Sequence, residues 1–344
     1  MTQDRLSVLI GTPLEPEHVA RIAEVDPRIR VLYEPDLLPV PRYPADHGGE
    51  RRELSAAEQK RWSQLRREAQ VSFDFDWQEP AAIVRNCPEL RWVQATSAGI
   101  GGFLQRTGLE DSSLVFTTAA GVHGVPLAEF TLLGLLYFAK GMPALNRWKT
   151  ERRWERHATG QLAGSQALVV GLGGIGAQVA RLLSAAGVSV CGAGRPGRSY
   201  DIPGVTGYVD TADLSHVLPD MDALVLACPL TKETEGLIGA RELAQLPPGA
   251  VLVNVARGQV LDEDALIAAL DSGHLGGACL DVFATEPLPE SSPLWGMGNV
   301  IISPHSASTA ESENALITEL FCTNLRRFLD GAPLRNVFSR SAGY

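Results

Sequence analysis

The chain has 344 residues, 45% hydrophobic and 20% charged, a globular composition that excludes a disordered or fibrous protein and, at roughly 150 residues per domain, argues for two domains. Thirty Lys and Arg against forty Asp and Glu leave a net charge of −10. Such a surface is a poor general partner for nucleic acid or an anionic membrane, since both need basic patches, so any anionic ligand must be held locally by a few cations or backbone amides.

At the start of the chain, Met1–Arg5 shows none of the pattern of a secretion signal. The five cysteines, Cys87, Cys191, Cys228, Cys279 and Cys322, have no CxxC or metal-type spacing. A cytoplasmic protein with reduced thiols and no metal is expected. Strand candidates in the first third are Leu6–Ile10, Arg28–Leu32, Ala82–Val84 and Trp92–Ala95, with Pro35–Pro44 as a loop. The charged stretch 46–70 reads as a solvated helix in a surface insertion. From Pro126 the run PLAEFTLLGLLYFAK opens with proline and is apolar nearly all round, as a helix buried at a domain or subunit interface would be. Glu129 and Lys140 interrupt it, and it is too short to span a bilayer.

After that helix the alternation becomes regular. Strands are predicted at Ala167–Val170, Val188–Cys191, Ala223–Ala227, Val251–Val255, Gly277–Asp281 and Val300–Ser303. Helices fill the gaps, among them Asp262–Ser272, stopped by Gly273, and a last one over Ala310–Asp330. Alternating strands and helices make this an α/β protein with parallel sheets.

The sharpest local motif is Gly171-Leu172-Gly173-Gly174-Ile175-Gly176, which follows a predicted strand and opens an amphipathic helix carrying Ile175, Val179, Leu182 and Leu183. Gly171 permits the tight turn, Gly173 lets backbone approach a pyrophosphate, and Gly176 lets helix and strand pack closely. A dinucleotide with free ribose hydroxyls calls for an acid at the end of the next strand. That place, eighteen residues beyond Gly176, holds Gly194, followed by Arg195 and Arg198. Without a carboxylate nothing repels a 2′-phosphate, and a guanidinium can bind one through two bonds. NADP(H) is therefore favoured over NAD(H). The other reading leaves both arginines as solvated loop charges and the cofactor as NAD.

Three further strand ends each present one ionisable group: Arg257 in NVARG, Glu286 in DVFATEPL and His305 in SPHSA. Strand C-termini of a parallel sheet share one edge, where ligands bind. An arginine to grip a carboxylate, a histidine to protonate a carbonyl oxygen and a carboxylate to hold that histidine suit reduction of a 2-keto acid.

The set GLGGIG, CPLTKETEGLIG, NVARG, LDEDALIAALDSGHLGGACLDVFATEPLP and NVIISPHSA, running from about Gly164 to Ala307, resembles the D-isomer-specific 2-hydroxyacid dehydrogenases. Looser matches are CPELRWVQATSAGIG and AAGVHGVPLAEFTL. The resemblance implies two doubly wound parallel-sheet domains, a Rossmann cofactor domain (121–308) inserted into a flavodoxin-like substrate domain (1–120 and 309–344). It implies Arg257 as the substrate-binding arginine, His305 as the acid/base and Glu286 as its partner. The loop Ser97-Ala98-Gly99-Ile100 would offer amides to the substrate carboxylate, although Gly101 stands where the family often has Asp. Cys228, Pro229, Thr234, Val255, Ala256, Asp281, His305 and Ala307 match positions around the cofactor, with Asp281 near the nicotinamide amide. Gly194 and the PLPESSPLW segment bring the glyoxylate/hydroxypyruvate reductases of the family closest. Trp295 reads equally as a packing residue or a substrate neighbour, and His123 better as a structural histidine than as a substrate contact. A homodimer built on the Pro126 helix is also implied. The rivals are an NAD(H)-sensing corepressor module of the same fold and a phosphonate- or formate-type dehydrogenase.

Overall fold

A computed structural model describes residues 5–340; the outermost ends of the expected first-domain segments, 1–4 and 341–344, lie outside the described residues. The chain forms two compact units, one up to His123 together with Thr309 onward, the other Gly124–Ser308.

The first unit runs β1 (Leu6–Ile10), α1 (Pro16–Ala23), β2 (Ile29–Leu32), α2 (Ala56–Glu68), β3 (Val71–Phe73), α3 (Ile83–Asn86), β4 (Trp92–Gln94), α4 (Gly101–Thr107) and β5 (Val115–Thr117). Its five strands are all parallel, in the order β2-β1-β3-β4-β5, which is the flavodoxin-like arrangement.

The second unit runs α5 (Gly124–Ala139), α6 (Met142–Thr150), β6 (Gln166–Val170), α7 (Gly174–Ala185), β7 (Ser189–Gly194), β8 (Val205–Asp210), β9 (Ala223–Leu226), α8 (Ala240–Gln245), β10 (Val251–Asn254), α9 (Glu263–Asp271), β11 (Gly277–Leu280) and β12 (Val300–Ile302). The chain then returns to the first unit as α10 (Glu313–Leu329). The seven-stranded parallel sheet has the order β12-β11-β10-β9-β6-β7-β8. Strand order reverses between β6 and β9, and this is where a doubly wound sheet binds ligands.

Alternate strand residues serve opposite faces. Leu168, Leu224, Leu252 and Leu280 build one core, and Val169, Val225, Val253 and Cys279 build the other. Strands buried on both sides read as continuous apolar runs, and that is why they are legible from sequence. Helix α5 seats on this sheet so closely that a Cβ on Gly134 would stand 2.7 Å from Cys279 Cβ. Val125, Leu133 and Leu136 of the same helix remain exposed. Among the described residues no single helix is long and apolar enough to cross a membrane.

Three expectations need correction. Ala82–Val84 is not a strand: Ile83–Asn86 is a helical turn, and the strand pairing with β1 is Val71–Phe73 instead. Val115–Thr117 and Val205–Asp210 also escape the sequence reading, the first being three residues long and the second carrying no continuous apolar run. The stretch 46–70 is no solvated insertion. Ser55 caps α2 in a capping box with Glu58, and Trp62 and Leu65 pack with Leu9, Leu32 and Leu38. Arg66 is buried with Asp76 at 2.6 Å, and Trp62 Nε1 donates to the same carboxylate at 3.2 Å. Charged letters hide this face, because Arg66 is buried through its pairing rather than despite its charge.

Candidate active site

The glycines of the predicted dinucleotide motif sit at the reversal of the second sheet and divide their labour as the sequence requires. Gly171 adopts φ +98°, and a Cβ there would stand 2.5 Å from the backbone of Cys228, so the ends of β6 and β9 abut. A Cβ on Gly176 would overlap the carbonyl oxygen of Gly171, leaving no room between α7 and β6. Gly173 differs: nothing lies within 4 Å of its Cβ direction. Open space beside Gly173, with Gly174 and Ile175 opening the 12-residue helix α7, leaves backbone amides and room of the kind a pyrophosphate would need.

At the end of β7 the position of the missing acid is occupied. Gly194 faces the ring of Tyr200, and a Cβ at 194 would stand 2.8 Å from the Tyr200 hydroxyl and closer to its ring carbons. The Arg195 backbone N–H donates to that hydroxyl at 3.0 Å, and the exposed Arg198 guanidinium stands 5.4 Å from the ring centroid. Sequence reasoning finds Gly194, Arg195 and Arg198 but not Tyr200, which no motif marks. Beyond β9, Cys228 is buried and burial pushes its thiol up to about 11, so it is an inert wall. Thr234 donates its hydroxyl to Pro229 O at 2.6 Å and accepts from Thr231 N, which fixes this loop from within.

The catalytic candidates come together within the second unit. Asn254, at the end of β10, accepts from Ala256 N at 3.0 Å and donates to Arg257 O at 3.2 Å. Val255 and Ala256 are thereby buried beneath the turn that carries Arg257. Burial pulls the Arg257 guanidinium below its ordinary value, opposed by Glu286 and Asp281; an arginine so placed remains charged. Gly258 follows because a Cβ there would overlap the Phe283 carbonyl, backbone against backbone. The NVARG turn therefore rests directly on the segment that carries Glu286.

Glu286 is held at both oxygens: Oε1 accepts from Phe283 N at 3.0 Å, and Oε2 lies 2.8 Å from His305 Nδ1. With Nδ1 so engaged, Nε2 is the nitrogen that can meet a substrate, and the His305 side chain is 42% exposed, enough to be reached. His305 itself sits in the left-handed region at φ +54°, a conformation that must be over-determined by its surroundings. Asp281 supplies the determination. Its Oδ1 accepts from Ser303 Oγ at 2.6 Å and from the N–H groups of Ser306 and Ala307 at 2.9 Å each, while His305 N donates to Asp281 O at 2.9 Å. Burial raises the Asp281 carboxyl and these bonds oppose it. Sequence reasoning places Asp281 beside the cofactor; its grip on the histidine turn emerges only in three dimensions, as does that of Asn254 on the Arg257 turn.

Ala98, Gly99 and Ile100 form the turn between β4 and α4 in the first unit, with Ile100 buried and Gly99 exposed. His123 Nε2 bonds Glu313 Oε1 at 3.2 Å in the interior of that unit. Trp295 is 55% exposed, with its indole N–H donated to Pro289 O.

A family model described as D-isomer specific 2-hydroxyacid dehydrogenase, NAD binding domain, matches residues 132–307. A glyoxylate/hydroxypyruvate reductase A of Salmonella newport is 31% identical over 273 residues, covering 78% of this chain and 86% of that protein. The solved D-isomer specific 2-hydroxyacid dehydrogenase of Xanthobacter autotrophicus Py2, in complex with NADPH and MES, superposes with a TM-score of 0.78 at 30% identity, covering 99% of this chain and 100% of that one. An NADPH-dependent glyoxylate/hydroxypyruvate reductase of Sinorhizobium meliloti, solved with NADP and sulfate, gives a TM-score of 0.77 at 27% identity over 99% and 100% of the two chains. Matched across its cofactor motif, its NVARG and SPH turns and nearly its whole fold, the chain belongs to the D-isomer-specific 2-hydroxyacid dehydrogenase family and is an NAD(P)-dependent oxidoreductase.

Proposed function

We propose that the protein reduces a small 2-keto acid of the glyoxylate or hydroxypyruvate type to the D-2-hydroxy acid, with NADP(H) preferred over NAD(H). The observation that carries this reading is the 2.8 Å bond between His305 Nδ1 and Glu286 Oε2, made beside the Arg257 turn at one edge of the sheet. Relatives named for glyoxylate and hydroxypyruvate and solved with NADP(H) support the substrate class and the cofactor.

The nicotinamide cofactor, when bound along Gly171–Gly176, supplies the hydride for the keto carbon. Protonated His305 gives the Nε2 proton to the keto oxygen, so hydride and proton together convert the carbonyl to an alcohol. Glu286 stabilises the imidazolium before transfer and keeps the ring oriented. Arg257 takes the substrate carboxylate, a planar pairing that orients the adjacent carbonyl. The assignment of Ala98, Gly99 and Ile100 to the same carboxylate rests on the family resemblance of their loop. The exposed Val125, Leu133 and Leu136 on α5 support a homodimer, which sedimentation would test.

Steady-state rates on a panel of 2-keto acids, with NADPH and with NADH, decide the proposal. His305→Gln should lower kcat by roughly 100- to 10,000-fold, the range for a positioned acid/base, with NADPH binding nearly intact. Near-normal turnover by that variant overturns the mechanism. Equal rates on simple aldehydes lacking the carboxylate overturn the role of Arg257.

A further inference from the structure

We propose that Tyr200 is a specificity-determining residue of the cofactor site: its ring holds the volume that a carboxylate at position 194 would need, and its hydroxyl fixes the backbone of Arg195, which commits the site to a 2′-phosphorylated dinucleotide. The proposal rests on the cofactor reading above.

The geometry has two parts. First, any side chain at 194 must displace Tyr200, since a Cβ there falls within 2.8 Å of the hydroxyl and nearer still to Cε2 and Cζ. These are end atoms of a side chain, and Arg198, Tyr200, Tyr208 and Asp210 line a cavity of about 370 Å³ into which the ring could swing. Swinging it out costs three contacts. The ring stacks on Tyr208, centroids 6.2 Å apart and planes at 19°; its hydroxyl accepts the Arg195 N–H at 3.0 Å; and it carries the Arg198 guanidinium on its face at 5.4 Å. Second, these contacts act on the two cations proposed to recognise the phosphate. Arg195 has its backbone anchored, and Arg198 is held by a cation–π contact that restricts an otherwise free, exposed side chain. The glycine and the tyrosine are therefore one device: the absence of an acid at 194 makes the room, and the ring that takes the room organises the replacement chemistry.

The device predicts a non-additive result. Gly194→Asp alone introduces a ribose-binding acid but must break the Tyr200 contacts to do so, and should weaken both cofactors. Gly194→Asp with Tyr200→Ala frees the volume, and should bind NADH more tightly than the unaltered protein does. With glycine kept at 194, Tyr200→Ala should lower the preference for 2′-phosphate by roughly 5- to 20-fold, the worth of one hydrogen bond and one cation–π contact. Tyr200→Phe, which keeps the ring and loses only the hydroxyl, should fall between.

The experiment is calorimetric titration of the full chain and these variants with 2′,5′-ADP and with 5′-AMP, which differ only in the 2′-phosphate, alongside fluorescence titration with NADPH and NADH. Neither adenine nucleotide is redox-active, so the readout does not depend on turnover. The expected result is a 2′,5′-ADP/5′-AMP affinity ratio that falls from the unaltered protein through Tyr200→Phe to Tyr200→Ala, with the 5′-AMP arm constant within about two-fold. If the unaltered protein binds both probes equally, the cofactor reading fails and takes the proposal with it. If it prefers 2′,5′-ADP but the Tyr200 variants keep the ratio, or if Gly194→Asp alone switches preference as fully as the double variant, Tyr200 is a bystander and only this proposal falls.

Discussion

The division of labour among the motif glycines can be separated by two single-methyl substitutions. At Gly173 the backbone has φ −79° and ψ −162°, open to any residue, and no atom lies within 4 Å of the Cβ direction. Gly173→Ala therefore adds no clash, and by restricting the unfolded chain it should leave stability level or raise it by up to about 1 kcal/mol. On the proposed cofactor reading, the methyl enters the space the pyrophosphate would use. Losing one amide-to-phosphate contact, worth roughly 1.5–3 kcal/mol, raises the NADPH Kd by roughly 10- to 150-fold. Gly176→Ala behaves oppositely. Its Cβ meets the Gly171 carbonyl, both partners are backbone, and neither can rotate away. Overpacking of that kind costs about 1–3 kcal/mol, which in a unit of this size lowers Tm by roughly 2–10 °C. Thermal melts of the apoprotein and fluorescence titration with NADPH read the two effects separately. The reasoning is refuted if Gly173→Ala lowers Tm as far as Gly176→Ala does, or if it leaves the NADPH Kd within two-fold of the original.

Other consequences follow from the same contacts. Gly258→Ala pushes the Arg257 turn off the Phe283 carbonyl; an ångström of displacement there should lower kcat/KM by roughly 100-fold, with NADPH affinity held in a parallel titration. Asp76→Ala strands the Trp62 N–H and leaves the buried Arg66 guanidinium to Ser63 and the longer 3.6 Å pairing with Glu79, and should cost about 2–3 kcal/mol in urea unfolding. Asp46 is held well below the usual carboxylate range, chiefly by the Arg42 side chain, with Gly49 and Arg42 N–H groups assisting. A depressed folded value means stabilisation that is present above the unfolded value of about 4 and lost as pH falls below it. Asp46→Asn should therefore melt earlier at pH 7, by about 1 kcal/mol given its half-exposed arginine, and the deficit should shrink as melts are repeated below about pH 4.

Much of the second unit is legible in the sequence because its signals are local. Gly171, Gly173 and Gly176 each answer a constraint set within one strand–turn–helix, and Leu168 and Val169 serve opposite faces by strand geometry alone. Arg257, Glu286 and His305 are far apart in the chain, yet each follows a strand of one parallel sheet, so the order of elements already sends them to the same edge. The first unit reads less well. Val71–Phe73 and Val115–Thr117 are three residues each, too short for a periodic signal, and the buried face of α2, Trp62, Leu65 and Arg66, stands among charged neighbours that mask it.

The tertiary structure alone decides which side chains hold the proposed catalytic ones still. Asp281 pins the His305 turn through Ser303, Ser306 and Ala307, and the Phe283 carbonyl explains the glycine after Arg257. The Tyr200 ring fills the space that the sequence shows only as a missing acid at 194. Spacing along the chain cannot reveal such contacts. They depend on how far a loop travels before it turns back, and that distance is set by packing against residues that share no motif with it.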